Sequence, residues 1–230
     1  MSKPLGSEKL GVYQVYHDDF SKSQIDPSFQ PFFLGGNPSY HEGQAALDLI
    51  GKKEHEQSEF FGVLPWQFRW RYMMDRTEIQ KLLEANSFES DLYSLVPRRE
   101  GYNVWKSDPK VSDRLIEIGQ TLMEKAGYSS IDLENITTPS PYGSYFVSRS
   151  EIYEQFADEM LKPCLSVLDD KSDSPFQKLL NAPLTQGSAL KALTFKPVQG
   201  IVCEKLVGTW LAMNPWVKIG FIRDAWGSFS

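Results

Sequence analysis

The chain has 230 residues, 41% of them hydrophobic and 23% charged, which is enough apolar content for a real core in one large domain. A formal charge of −6 argues against nucleic acid as the main partner, because affinity for a phosphate backbone comes from Lys and Arg. Cys164 and Cys203 fit no metal or redox spacing, no apolar run is long enough to cross a bilayer, and the polar start is unlike a signal peptide. The expectation is a cytoplasmic protein that meets any membrane from its surface.

Residues 1–9 are expected to be a disordered tail, with a single domain over 10–230. Residues 10–16 are β-branched and aromatic and predict a first strand. The strand runs into His17-Asp18-Asp19. Polar side chains there either contact a ligand, as α/β proteins arrange it, or form a turn with local hydrogen bonds. Residues 42–53 predict a short helix with Ala45, Ala46, Leu49 and Ile50 on its inner face.

Residues 60–64 form an apolar run of strand length that stops at Pro65-Trp66. The chain continues with aromatics interleaved with Arg69 and Arg71. Open α/β sheets bind ligands outside the carboxyl ends of their strands, and Trp66, Arg69, Trp70 and Arg71 suit a sugar, a base or a phosphate there. The competing reading is an amphipathic helix with core aromatics.

Thr77 and Gln80 have the spacing of a capping box and open a helix through Asn86. Residues 91–96 predict a strand that ends at Pro97, with Arg98 and Arg99 beyond it. Asp108-Pro109 starts a helix that carries Val111, Leu115, Ile118 and Leu122 and stops at Gly127. A strand over 142–147 leads to a second capping box, Ser148 to Glu151, and to a helix kinked at Pro163. Asp169, Asp170 and Asp173 form a DDxxD pattern. In isoprenoid enzymes that pattern chelates magnesium from a helix; here it follows a helix end and reads as a connector. A short helix from Ser174, a helix within 198–214 with Val202, Leu206, Trp210 and Met213 on one face, and a strand over 216–222 complete the chain. Alternation of this kind predicts an α/β layer with a largely parallel sheet.

Three segments in this order carry a resemblance: the strand at 61–66, residues 143–153 running into a long helix, and residues 200–206 before a Trp-containing helix. Together they resemble a loosely defined group of glycosyltransferase-like proteins of bacterial surface-polysaccharide biosynthesis. The resemblance implies a single-domain GT-A-like nucleotide-sugar-binding fold, with a mostly parallel central sheet flanked by helices. It also implies transfer of a sugar from a nucleotide-diphosphate donor to a polysaccharide or glycan acceptor. Most members hold Mn²⁺ or Mg²⁺ on an Asp-x-Asp pair, which occurs nowhere in this chain. A divalent cation would then need separated acidic residues, and no metal ligand is assigned. Arg69, Arg71, Arg98 and Arg99 are the candidate substitutes, because guanidinium forks suit a leaving diphosphate.

Glu204 matches the family's helix glutamate and is the candidate base or acceptor ligand, against the reading of an exposed Glu paired to a Lys. Lys205 is a candidate phosphate contact or a solvated surface charge. Tyr145 is a sugar-stacking ring or a core residue. His17, Asp18 and Trp66 complete the expected donor site. Two alternatives stand beside this reading. One is a non-catalytic carbohydrate- or nucleotide-binding protein on the same scaffold, favoured by the missing Asp-x-Asp. The other is an unrelated α/β protein in which Trp66, Trp70 and Trp210 are all core.

Overall fold

A computed structural model describes residues 8–35, 41–96, 103–106, 112–138, 143–172, 174–182 and 198–221. Arg98, Arg99, Asp108-Pro109 and the stretch 185–196 lie outside the described residues. Among the described residues six strands form one sheet: β1 (Glu8–Tyr16), β2 (Gln30–Phe33), β3 (Ser58–Pro65), β4 (Leu92–Ser94), β5 (Phe146–Arg149) and β6 (Ile219–Phe221). Their order across the sheet is β2-β1-β3-β5-β4-β6. Only β5 runs against the others: its pairings with β3 and β4 are antiparallel, and the remaining pairings are parallel. The sheet is therefore mostly parallel, as the alternating elements predict.

Helices cover both faces, and the strands alternate between them. Tyr13, Val15, Phe61, Val63 and Phe146 point into one core. That core is closed by α2 (His41–Gly51), α5 (Ser112–Lys125), α6 (Ser150–Phe156), α7 (Lys162–Asp169), α8 (Ser174–Asn181) and α9 (Val198–Met213). Leu10, Val12, Phe60, Leu64 and Val147 point the other way, against α3 (Phe68–Tyr72) and α4 (Arg76–Ala85). Two glycines let these layers close. A methyl carbon on Gly62 would lie 2.7 Å from a Val147 methyl, and one on Gly119 would run into the Trp105 indole, 2.6 Å from its Cη2.

Several boundaries differ from those the sequence predicts. β1 begins at Glu8, inside the stretch read as a tail, because Glu8 pairs with Ser58 and its carboxylate meets Arg76. The loop after β1 contains α1 (Asp19–Ser23), and the edge strand β2 follows it. The cap of α4 is Asp75, two residues before Thr77: its carboxylate accepts from the Glu78 amide at 2.9 Å, and the Glu78 carboxylate accepts from the Asp75 amide at 2.7 Å. At the second predicted box no side chain caps the helix; Ser150 Oγ instead donates to the Ser58 carbonyl at 2.6 Å and ties α6 to β3. In the helix beyond it, Pro163 falls in the first turn of α7. A π-turn, Ala157–Leu161, joins α6 to α7, and the wider turn accommodates the missing proline N–H. Gly127, with φ +94°, ends the α5 region as expected. Among the described residues no helix is long and apolar enough to cross a membrane.

Candidate functional site

The ends of four strands line up along one edge. Val15 of β1 pairs with Pro65 of β3, and Phe146, the first residue of antiparallel β5, pairs with Ser94 at the end of β4. Thus residues 143–145 emerge at the same edge as the carboxyl ends of β1, β3 and β4, where open α/β sheets bind ligands. A small cleft, partly open to solvent, lies there. Gly143, Ser144 and Phe146 form its floor, α2 supplies Glu42 and Gly43, and α9 supplies Gly200, Cys203, Glu204 and Val207. Tyr153, Phe156 and Leu161 close the side nearest the π-turn.

Glu204 is half-buried and reaches the floor: its carboxyl carbon lies 3.6 Å from where a Cβ on Gly143 would sit. The same point is 3.3 Å from the Tyr145 ring. Gly143 has φ +63°, a conformation that suits glycine, and any side chain there would enter the space between Glu204 and Tyr145. Tyr145 is buried between Phe68 and Tyr72, and its hydroxyl accepts from Arg71 Nη1 at 2.7 Å. Burial raises its pKa. Arg71 opposes that shift, while Tyr72, Glu204 and Glu42 add to it. The phenol therefore keeps its proton; Tyr145 is a core residue and does not line the cleft.

The other predicted residues are arranged around this edge. Trp66 is half-buried and meets the exposed Phe20 edge-on at 5.6 Å; Trp70, one turn further on, is 64% exposed. Trp210 is buried in the core. The all-core reading of the three tryptophans therefore fails for Trp66 and Trp70. Asp18 caps α1: one carboxylate oxygen accepts from the Ser21 amide at 2.6 Å and from its hydroxyl at 2.5 Å, which lowers its pKa. The other oxygen lies 3.5 Å from His17 Nε2. The local hydrogen-bonded turn is thus what His17 and Asp18 form. Lys205 is buried and does not line the cleft, so it is not the solvated charge expected as its alternative role.

Arg69 pairs with Asp26, a nearly fully buried carboxylate. Burial opposes ionisation of Asp26, but bonds from Ser28 and Arg69 outweigh it and hold the carboxyl below its usual range. Gln14 completes the brace. Buried in the middle of β1, it accepts from the Asp26 amide at 2.9 Å and donates to the Pro65 and Trp66 carbonyls at 3.2 and 2.8 Å. One side chain thereby fixes both the exit of β3 and the loop that positions Arg69. Arg69→Met should lower stability by about 1 to 3 kcal/mol through the orphaned Asp26, towards the lower figure because the half-exposed guanidinium is screened. The depressed Asp26 contributes stability above about pH 4 and loses it as pH falls through its folded value. Urea melts should therefore show the full gap between wild type and variant at pH 7 and a closing gap at pH 3.

Glu42, Ser144, Cys203 and Gln14 join the site without having been singled out from sequence. For Gln14 a signal was present, an amide within an apolar strand. Glu42 reads as any acidic residue in a helix's first turn. Among the described residues no group of three or more His, Cys, Asp or Glu is arranged to hold a metal ion.

No family model and no curated protein matches the sequence. Among solved structures, the apo structure of WbbM, a bifunctional glycosyltransferase, aligns with 93% of this chain and 44% of that one, at 13% identity and a TM-score of 0.54. The chain thus spans less than half the length of that protein, and the likeness is one of fold. The α/β fold of this chain, a mostly parallel sheet flanked by helices, is glycosyltransferase-like.

Proposed function

We propose that the protein transfers a sugar from a nucleotide-diphosphate donor to a hydroxyl of a glycan acceptor. The observation that carries this reading is the position of Glu204, in a cleft at the carboxyl edge of the sheet and across Gly143 from Tyr145. In the reaction the acceptor oxygen bonds to the anomeric carbon, and the bond from that carbon to the diphosphate oxygen breaks. The acceptor proton passes to Glu204. Negative charge grows on the leaving diphosphate, and Arg71, whose Nη1 donates to the Tyr145 hydroxyl, is the guanidinium that would stabilise it. Trp66, Phe20 and Trp70 offer aromatic faces at the same edge for a base or sugar.

A thermal-shift panel of UDP-, GDP-, CMP- and dTDP-sugars, each with and without Mn²⁺, tests the reading. A ligand at about 100 times its Kd stabilises the native state by roughly 2.7 kcal/mol, which is several degrees for a chain of this size. The expected result is a shift with one nucleotide class in the absence of metal. A shift that needs Mn²⁺ would move the diphosphate contact from the arginines to separated carboxylates. A shift without transfer or hydrolysis would favour the alternative, a sugar-nucleotide-binding protein. No shift with any donor, in a folded sample, sinks the transferase reading.

A further inference from the structure

We infer that α3 and its flanks dock the protein on the surface of an anionic lipid bilayer, with Trp70 and Met73 entering the headgroup region beside the carboxyl edge of the sheet. The inference does not rest on the transferase reading. Among the described residues, Met73 and Trp70 are the most exposed large apolar side chains, at 79% and 64%. The next two, Phe20 of α1 and Phe33 at the end of β2, stand at the same edge. Single apolar residues on a surface are ordinary; several gathered at one edge mark an interaction surface.

The spacing makes a row. Trp66, Trp70 and Met73 are four and three residues apart. The Arg71 amide donates to the Gln67 carbonyl at 3.1 Å and the Met73 amide to the Arg69 carbonyl at 2.7 Å, so the segment turns as a helix and the three residues share one side of it. Phe20 extends the row from Trp66. The row stands on a fixed base. Phe68 is fully buried, Arg69 pairs with Asp26, Arg71 donates to Tyr145, and Gln14 holds the Pro65 and Trp66 carbonyls. Met73 has φ +54°, a left-handed conformation uncommon for such a side chain. The base thus holds an apolar tip out in water, already ordered before anything docks.

Charge selects the occupant. Residues 66–74 contain Arg69 and Arg71 and no acidic residue, in a chain of net charge −6. Trp beside Arg is a combination that settles at a membrane–water interface: the indole fits the headgroup level, and the guanidinium reaches lipid phosphates while its stem lies on apolar surface. An anionic bilayer repels the acidic remainder of the chain and receives it on this face. Asp18 and Asp19 flank Phe20, which puts the centre of the contact on α3 and not on α1.

Co-sedimentation with sucrose-loaded vesicles tests the assignment. The probe is phosphatidylcholine with phosphatidylglycerol at about three to one. The wild type should sediment with these vesicles in about 0.1 M salt and bind at least about threefold more weakly in about 0.5 M salt, where the arginines are screened. Trp70→Ser together with Met73→Ser should weaken binding by at least about tenfold and leave the melting temperature unchanged, because both side chains are exposed. Trp70→Leu keeps an apolar tip and removes the indole. It should bind within about threefold of wild type yet lose much of the quenching of Trp fluorescence by brominated phosphatidylcholine. Four results would overturn the inference: no sedimentation of the folded wild type, sedimentation unchanged in the double variant, quenching as strong in Trp70→Leu as in wild type, or a dimer in solution that the double variant dissociates, which would give the face to a second copy. A wild type silent towards vesicles whose fluorescence answers to maltoheptaose would give the row to a glycan instead. Should the double variant not fold, the wild type and Trp70→Leu decide. Vesicle binding together with a silent nucleotide-sugar panel would remove the transferase reading and leave the docking face standing.

Discussion

Glu204→Gln should abolish sugar transfer, by about 10² to 10⁴ in kcat, while the protein stays folded. The two side chains have the same shape, and Glu204 is half-buried at a cleft rather than packed in the core, so the stability change should stay within about 0.5 kcal/mol. What is lost is the acceptor for a proton. An amide cannot take the proton of the attacking hydroxyl, so the variant should bind its donor and fail in the chemical step. The division between kcat and KM is informative. A base loses kcat with KM nearly unchanged; a residue that only holds the acceptor raises KM and leaves kcat near its starting value. Melting curves taken beside the kinetics exclude unfolding as the cause. If the variant turns over like wild type, Glu204 is not the base, and Glu42, the other carboxylate of the cleft, is the next candidate.

The strands that build the core were legible because they are continuous apolar runs. β1 and β3 carry side chains that are buried on both faces, and such strands read as unbroken hydrophobic segments. The edge strand β2 was not legible. It has four residues, contains Pro31 and is largely exposed, so it has neither the length nor the pattern of a buried strand. The direction of β5 was also hidden. An apolar run does not encode its pairing partner or its direction. That reversal matters most for the site, since it brings the beginning of β5, not its end, to the edge shared with β1 and β3. Glu204, singled out through its neighbours in the sequence, lines the cleft. That Glu42 lines it too could not be read, because it depends on α2 and α9 being brought together, a relation between positions 162 residues apart in the chain.

The same dependence on distant packing makes Trp105→Ala the substitution with the largest expected effect on stability, about 3 to 5 kcal/mol. Trp105 belongs to a short 3₁₀ turn, Val104–Lys106, and its indole is fully buried. It fits because position 119 of α5 is glycine; a Cβ there would lie 2.6 Å from the indole Cη2 and 2.8 Å from a Leu133 methyl. The indole Nε1 donates to Thr209 Oγ1 at 2.9 Å, and that hydroxyl donates to the Lys205 carbonyl at 3.0 Å. Both acceptors belong to α9, one turn apart, on the helix that carries Glu204 into the cleft. A second indole, Trp210, holds the same helix from another side by donating to Glu159 of the π-turn at 2.9 Å. Emptying the Trp105 site should lower the melting temperature by roughly 6 to 20 °C, the range for such a loss in a chain of this size. Trp105→Phe separates packing from orientation: it keeps most of the buried ring but leaves Thr209 without its donor. If the bond sets the position of α9, this variant should lose activity well beyond its modest loss of stability, at temperatures where it is fully folded. If activity instead follows the fraction folded, packing alone positions Glu204 and the indole bond contributes only to stability.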